Sequence, residues 1–419
     1  MGKLSFLKSR RIEALWFLLI FFAIFGGIGS VMGLPNMLNT LMKTSHDLLL
    51  NTCFYLMGIT VLTGALSKLL VEFGVVRLME VILRPLMKPL WNLPGVGALG
   101  GLMTLLSDNP AIIGLAKDKN FSQYFKKYQL ISLTNFGTAF GMGLVVIVFM
   151  AGQGFGSAAI VGLLGAIVGS IVSTRLMQRF ILKSNPELDT PVVGGNEEEI
   201  RFKSEGSTFL RILNSLLDGG KTGVELGVAI IPGVLIISSF VMILTFGTSA
   251  NGTYTGSAYE GVEFLPWAAG KIDFVFEWLF GFHYPELVAF PITSLGAVGA
   301  ALGLVPTFVS KGLIDGNAIA VFTAMGMCWS GYLSTHTAMM DTLGYRQLTT
   351  KAIIAHTFGG LAAGIAAHWF FVLFSMVGMV SNEAEVGEAV AQDQQNKVIE
   401  QTVVATDSVP AEQTTYILK

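Results

Sequence analysis

Residues 128–174 contain no Asp, Glu, Lys or Arg, and the runs 226–259, 316–340 and 352–382 share that property. A helix crossing about 30 Å of hydrocarbon needs roughly 20 apolar residues, with every backbone N–H and C=O bonded within the segment because no water reaches it. The run 128–174 is long enough for two such helices, with a Gly-rich turn at 152–156 between them. Only 13% of the 419 residues are charged and 52% are hydrophobic, where a soluble domain carries about 25% charged residues. The chain is therefore expected to be an all-α polytopic membrane protein of a bacterial inner membrane, with the lipid bilayer as its solvent, and not a soluble enzyme.

A formal net charge of −2 argues against nucleic acid as a partner, which would call for a basic stripe. Cys53 and Cys328 lie in apolar runs without CxxC or His-spaced partners and read as packing residues rather than disulfide or zinc ligands. Lys3, Lys8, Arg10 and Arg11 precede the apolar run 14–34 as in a secretory signal, but that run is too long and lacks a small-x-small site. It reads as an uncleaved first span starting in the cytoplasm.

Positive residues near span ends face the cytoplasm, which threads the chain. The first segment, 1–47, holds span one and a nearly uncharged outer loop; span two, 48–70, returns inward. Residues 72–93 are too charged to cross: Arg77, Glu80, Arg84 and Lys88 recur at steps of three and four, the pattern of a helix lying in the interface, with Pro85 and Pro89 set to kink or end it. The run 95–116 has basic residues on both sides, so both its ends are expected inside. A re-entrant hairpin resolves this, broken at Ser107-Asp108-Asn109-Pro110, where Asn109 suits an N-cap and Pro110 a first helical position. Spans three (128–150) and four (157–177) complete a first repeat over 48–183. A polar cytoplasmic linker follows at 184–221. The second repeat, 222–380, is expected to hold span five (222–246), an aromatic interfacial stretch with Trp267, Trp278 and Tyr284 (263–286), a hairpin broken at 291–294 and again at Pro306 (287–310), and spans six (316–340) and seven (352–380). The tail, 381–419, is expected to be flexible and external.

The two halves thus share one order: span, interfacial helix, broken hairpin, two spans. The second starts from the opposite face, giving about seven transmembrane helices plus two re-entrant hairpins in an inverted repeat. Such repeats are characteristic of secondary transporters, which place the substrate near the midplane where broken helices meet. The stretches GALGGLMTLLSDNPAIIGLA and SLTNFGTAFGMGLVVIVFMAG resemble the nucleoside recognition, or Gate, domain, and the full layout is similar to the YjiH family. Concentrative nucleoside transporters, spore maturation proteins A and B and the membrane part of ferrous iron transporter B have related arrangements. The resemblance covers roughly 48–179 and, less closely, 222–346, and implies solute permeation. The second hairpin departs from it in lacking counterparts of Asp108 and Asn109.

Several polar residues in these runs are candidates for binding a solute. Asp108 is the one carboxylate of the first hairpin, and an ionisable group inside a membrane is costly enough to suggest function; the competing role is a simple helix cap. Ser107 and Asn109 flank it beside a half-helix N-terminus. Thr134 and Asn135 in span three are placed to face them or to bond between helices. In the second half Thr293 and Ser294 mark the hairpin break, and Ser330, Ser334, Thr335 and His336 cluster on span six, with Trp329 two turns before His336 as a stacking surface or a packing residue. His336, His356 and His368 lie on two spans without metal-ligand spacing. No GxxxxGKS/T loop is present, and no cofactor is expected; a coupling ion, proton or sodium, stays open. The reading is a secondary transporter or permease for a small polar solute of nucleoside-like type working by alternating access. The alternative is a non-transporting scaffold that partners a second Gate-type subunit or a further copy of itself as a homo-oligomer.

Overall fold

The computed structural model describes residues 2–192, 206–249 and 251–385, with side chains from residue 10 onward. Among these residues the fold is helical, its one extended pairing being an isolated bridge between Lys126 and Pro191. Helix α1 (Gly2–Met32) is separated from α2 (Leu34–Asp47) by Gly33, whose φ of +79° suits a residue without Cβ. Pro35 then sits in the first turn of α2, where its missing N–H removes no helical bond. The loop expected over 35–47 is therefore helix, and it runs through a π turn at Leu48–Cys53 into α3 (Phe54–Glu72).

Helix α4 (Val75–Leu86) follows α3 after Phe73 and Gly74 and has the expected charged face. Its Glu80 is fully buried, yet it accepts from Arg84 Nε at 3.0 Å and Nη2 at 3.1 Å, with Arg77 3.8 Å away. Two guanidinium groups offset the desolvation of that carboxylate. Pro85 and Pro89 lack the N–H that an α-helical ladder needs, and the chain passes through a wider π turn at Met87–Trp91. The first hairpin follows as α5 (Ala98–Leu106) and α6 (Pro110–Lys117), then the short α7 (Lys119–Ser122). The apolar run 128–174 folds as α8 (Lys127–Thr138), α9 (Gly143–Gly152) and the long α10 (Gly156–Ser184).

The second half begins with α11 (Thr208–Gly233), which starts inside the segment expected as linker and continues through a π turn at Val234–Ser238 into α12 (Ser239–Thr245). Ser207 caps it, its Oγ accepting from the Leu210 N–H. Next come the short helices α13 (Phe264–Ala269) and α14 (Asp273–Phe280), whose Trp267 and Trp278 are exposed. The second hairpin is α15 (Ala289–Gly296), α16 (Val298–Leu302) and α17 (Val305–Ser310). Then α18 (Gly316–Trp329) and α19 (Tyr332–Thr342) lead to α20 (Thr349–Met376). Among the described residues, 6 helices are long and apolar enough to cross a membrane. Of the seven expected spans, the sixth, 316–340, is divided at Ser330-Gly331, where Gly331 takes φ +58°, so two half-helices stand in its place.

The inversion of the repeat shows in how the long helices pair. A Cβ at Gly219 would strike Gly64, at Gly223 Thr60 and Val61, and at Gly227 Met57, so α3 and α11 run antiparallel. Gly165 faces Ala363 and Ala367, Gly169 faces Gly359 and Ala363, and Ser173 reaches His356, so α10 and α20 are antiparallel too. The first and last elements of the two halves are thus each related by reversal. Glycines at these crossings let backbones touch, the means by which helices associate where lipid supplies no hydrophobic driving force. The residues after α20 return to the ends where α10 and α18 begin: Asn382 C=O accepts from Gly316 N–H at 3.0 Å, and the Glu385 carboxylate from Ser157 N–H at 3.0 Å. The remainder of the expected flexible tail, 386–419, lies outside the described residues.

Candidate functional site

Four chain breaks converge at one place. In the first hairpin α5 ends at Leu106, and α6 begins at Pro110 as its sequence requires. Asn109 does not cap α6 with its side chain, as its position suggested; it is already in helical conformation. The Asp108 Oδ1 instead accepts from the Asn109 N–H at 2.7 Å, and the Asn109 side chain, 3% exposed, crosses to the other half. Its Nδ2 donates to the Ser330 C=O, which the α18–α19 break has freed. Its Oδ1 is buried without a partner. The second break, between α8 and α9, lies beside it. Met142 there takes φ +53°, and Gly141 carries no side chain because a Cβ would enter the Asn109 carboxamide. The fourth break is the tip of the second hairpin, Gly296-Ala297-Val298, with Ala297 fully extended.

These breaks enclose a cavity of about 330 Å³, within the range of small-molecule sites. One wall is α11, through Leu226, Ala229, Ile230 and Gly233; the second hairpin contributes Gly296 to Ala300. Asp108, Asn109, Ser330, Ser334 and Thr335 supply its polar side chains. A second cavity of about 210 Å³ adjoins it across Leu226 and is lined by Thr60, Thr63, Ser67, Lys68, Ser107 and Thr222, among others. Three of those hydroxyls donate to helix carbonyls, Thr60 to Gly223, Thr63 to Ile59 and Ser67 to Leu106, so their lone pairs remain available.

The cavity takes up some of the candidate residues and not others. Ser107 is exposed and faces the second cavity. Thr293 and Ser294 sit within α15 rather than at the hairpin break, their hydroxyls bonded to Ala289 C=O and Pro291 C=O. Pro291 is accommodated near the helix start, and the chain leaves helix only at Ala297. Thr134 and Asn135 are fully buried behind the site; Asn135 Nδ2 donates to Ser173 Oγ at 3.0 Å and Ala352 C=O at 2.9 Å, joining the halves. His336 is fully buried, with Nδ1 2.7 Å from Tyr332 C=O and its ring 4.6 Å from that of His356. Because the helix breaks between them, Trp329 and His336 do not share one continuous helical face; the indole packs on Gly360. Neither residue lines the cavity. Among the described residues no three His, Cys, Asp or Glu side chains converge as a metal site would require.

Sequence reading misses Gly296 to Ala300 and the α11 wall, since small apolar residues carry no chemical signal. The signal available is the spacing of glycines along α11, which marks a close-packed helix.

Residues 53–154 match the family model described as "Gate: Nucleoside recognition", so the chain carries a Gate domain from α3 through the first hairpin to α9. The sporulation integral membrane protein YlbJ of Bacillus subtilis (strain 168) is 37% identical over 73 residues, 17% of this chain. The chain spans only 18% of that protein's length. Among solved structures, CNTnw, a concentrative nucleoside transporter captured in an inward-facing substrate-bound state, aligns over 89% of this chain and 87% of its own with a TM-score of 0.52 at 11% identity. The likeness is one of fold: this is a multi-pass membrane protein with helices arranged as in that transporter.

Proposed function

We propose that the protein is a secondary transporter for a small polar solute in a bacterial inner membrane, working by alternating access between its two inverted halves. The observation that carries this reading is the convergence of two hairpin tips and two helix breaks on one cavity of about 330 Å³. Broken helices free backbone N–H and C=O groups, and such groups are tolerated at membrane depth where they line a cavity or are buried in protein. In this role Asp108, Asn109, Ser330, Ser334 and Thr335 hold the solute, and α11 is the wall against which the hairpins shift. Ser107 stands between the two cavities on the route out. Asn135, Thr134, Thr293, Ser294 and His336 support the site from behind.

The test is uptake by purified protein in liposomes from a pooled panel of nucleosides, bases, amino acids and small amines, read by mass spectrometry. Entry of at least one solute that depends on the protein is expected, and imposed sodium or proton gradients assign the coupling ion. Folded protein that admits nothing from the panel would shift the reading to a scaffold for a second Gate-type subunit.

A further inference from the structure

We infer that the solute is a small organic cation whose charged nitrogen sits against Asp108. The inference rests on the transport reading above and narrows its substrate class. Asp108 is the one charged side chain among the described residues lining the main cavity. Among the described residues no Lys, Arg or His lies within ion-pair distance of it. Its Oδ1 accepts the Asn109 N–H, which leaves the other oxygen of the carboxylate for a ligand. Lys68 lines the adjoining cavity and not this one.

The neutral groups around Asp108 lean the same way. Asn109 Oδ1 is a buried acceptor without a donor, while one Asn109 Nδ2 hydrogen goes to Ser330 C=O and the Ser334 hydroxyl to Gly331 C=O. The cavity therefore holds a negative charge without a counter-charge among the described lining residues. Leaving a charge unpaired in a low dielectric is costly, and a buried acceptor without a donor adds to the cost. A solute bearing an ammonium or amidinium group supplies the missing counter-charge by donating to the carboxylate. An anionic solute does not. The rest of the lining, Met142, Leu226, Ile230, Ala297 and Val298, is apolar and suits a hydrocarbon or aromatic body behind the charged end.

The experiment uses three probes of one shape: tyramine, the matching alcohol tyrosol and the matching acid 4-hydroxyphenylacetate, with adenosine and uridine as neutral nucleosides. Binding to the purified full-length protein is read by thermal shift in sodium and in potassium buffers at two pH values. The amine is expected to bind at least about tenfold more tightly than the alcohol, and the acid not at all. Asp108→Asn is expected to remove the amine preference and Asp108→Glu to retain part of it, which separates loss of charge from loss of fold. Equal or tighter binding of the neutral probes overturns the inference while leaving the transport reading intact. So does binding of neutral probes that requires sodium or acid in the wild type and not in Asp108→Asn, because a metal ion or proton would then be the counter-charge. Absence of binding by every probe, with panel uptake also absent, counts against the site itself.

Discussion

The two hairpins occupy equivalent places in the repeat and differ in what they bring to the cavity. The first presents Asp108 and Asn109, one charged and one bonded across to the opposite half. The second presents Gly296, Ala297 and Val298 and offers backbone groups and small apolar side chains. The joints preceding each hairpin differ as well. Only Phe73 and Gly74 separate α3 from α4, whereas residues 246–263 separate α12 from α13. An inverted repeat gives two copies of a scaffold, and here the scaffold glycines are kept in both while the chemistry is held by one. We propose that the first hairpin selects the solute and the second closes around it.

Replacing Asn109 should disturb function most. Asn109→Ala leaves the Ser330 carbonyl without its donor, a penalty of about 1–3 kcal/mol for a buried polar group, and lets the hairpin tip slide from the α18–α19 break. Uptake is expected to fall by about a hundredfold at matched expression. Ala297→Ser, the change that makes the second hairpin more like the first, should alter uptake by less than about threefold, within the small range of ordinary surface substitutions. Similar losses from the two variants would erase the proposed division of labour.

The shared scaffold predicts the next effect. Gly223→Ala would drive a Cβ into the Thr60 and Val61 backbone, while at Gly220, one turn away, the nearest atom is a Val61 methyl at 3.7 Å. Thermal unfolding in detergent should show Gly223→Ala destabilised by about 1–3 kcal/mol from overpacking. Gly220→Ala should be neutral or stabilised by a few tenths up to about 1 kcal/mol from helix propensity. Asn135→Leu removes the bond to Ala352 that joins the halves, and the one to Ser173, and should cost stability by about 1–3 kcal/mol, yet leave the solute preference of the surviving folded protein unchanged. A changed preference would bring Asn135 into the site after all.

Much of this architecture is legible in the sequence. Charge-free runs and Lys/Arg placement report on the bilayer, and Ser-Asp-Asn-Pro inside an apolar run interrupts a helix because Pro110 has no N–H to continue one. The second hairpin is harder to read. Thr293 and Ser294 look like a break, but their hydroxyls bond back into α15, and the turn falls at Ala297, a residue whose side chain says nothing about it. Ser330-Gly331 likewise hides inside an apolar run that length alone reads as one span. Hydropathy reports burial, whereas these breaks are set by where the opposite half supplies a partner, such as Asn109 for the Ser330 carbonyl.

The smallest effect concerns the long joint of the second half. Burial raises the Glu260 carboxyl pKa, but bonds from Thr255 N–H, Thr255 Oγ1 and Gly256 N–H outweigh it and hold the pKa below the usual carboxylate range. A depressed folded value contributes stability above the unfolded pKa, and that contribution is lost as pH falls through the folded one. Glu260→Gln should therefore cost about 1 kcal/mol at pH 7, with the difference from wild type closing in acid. A difference constant from about pH 7 to below about pH 4 would mean that the loop does not rely on the charge.

The central claim is that solute passes through the cavity between the hairpins, and Ser334, exposed within it, tests that most directly. Cys53 and Cys328 are buried, so a membrane-impermeant thiol reagent applied to Ser334→Cys reports on the cavity alone. Modification is expected to abolish uptake, and the solute identified in liposomes is expected to slow modification in proportion to its occupancy. Complete modification with uptake intact would contradict the account.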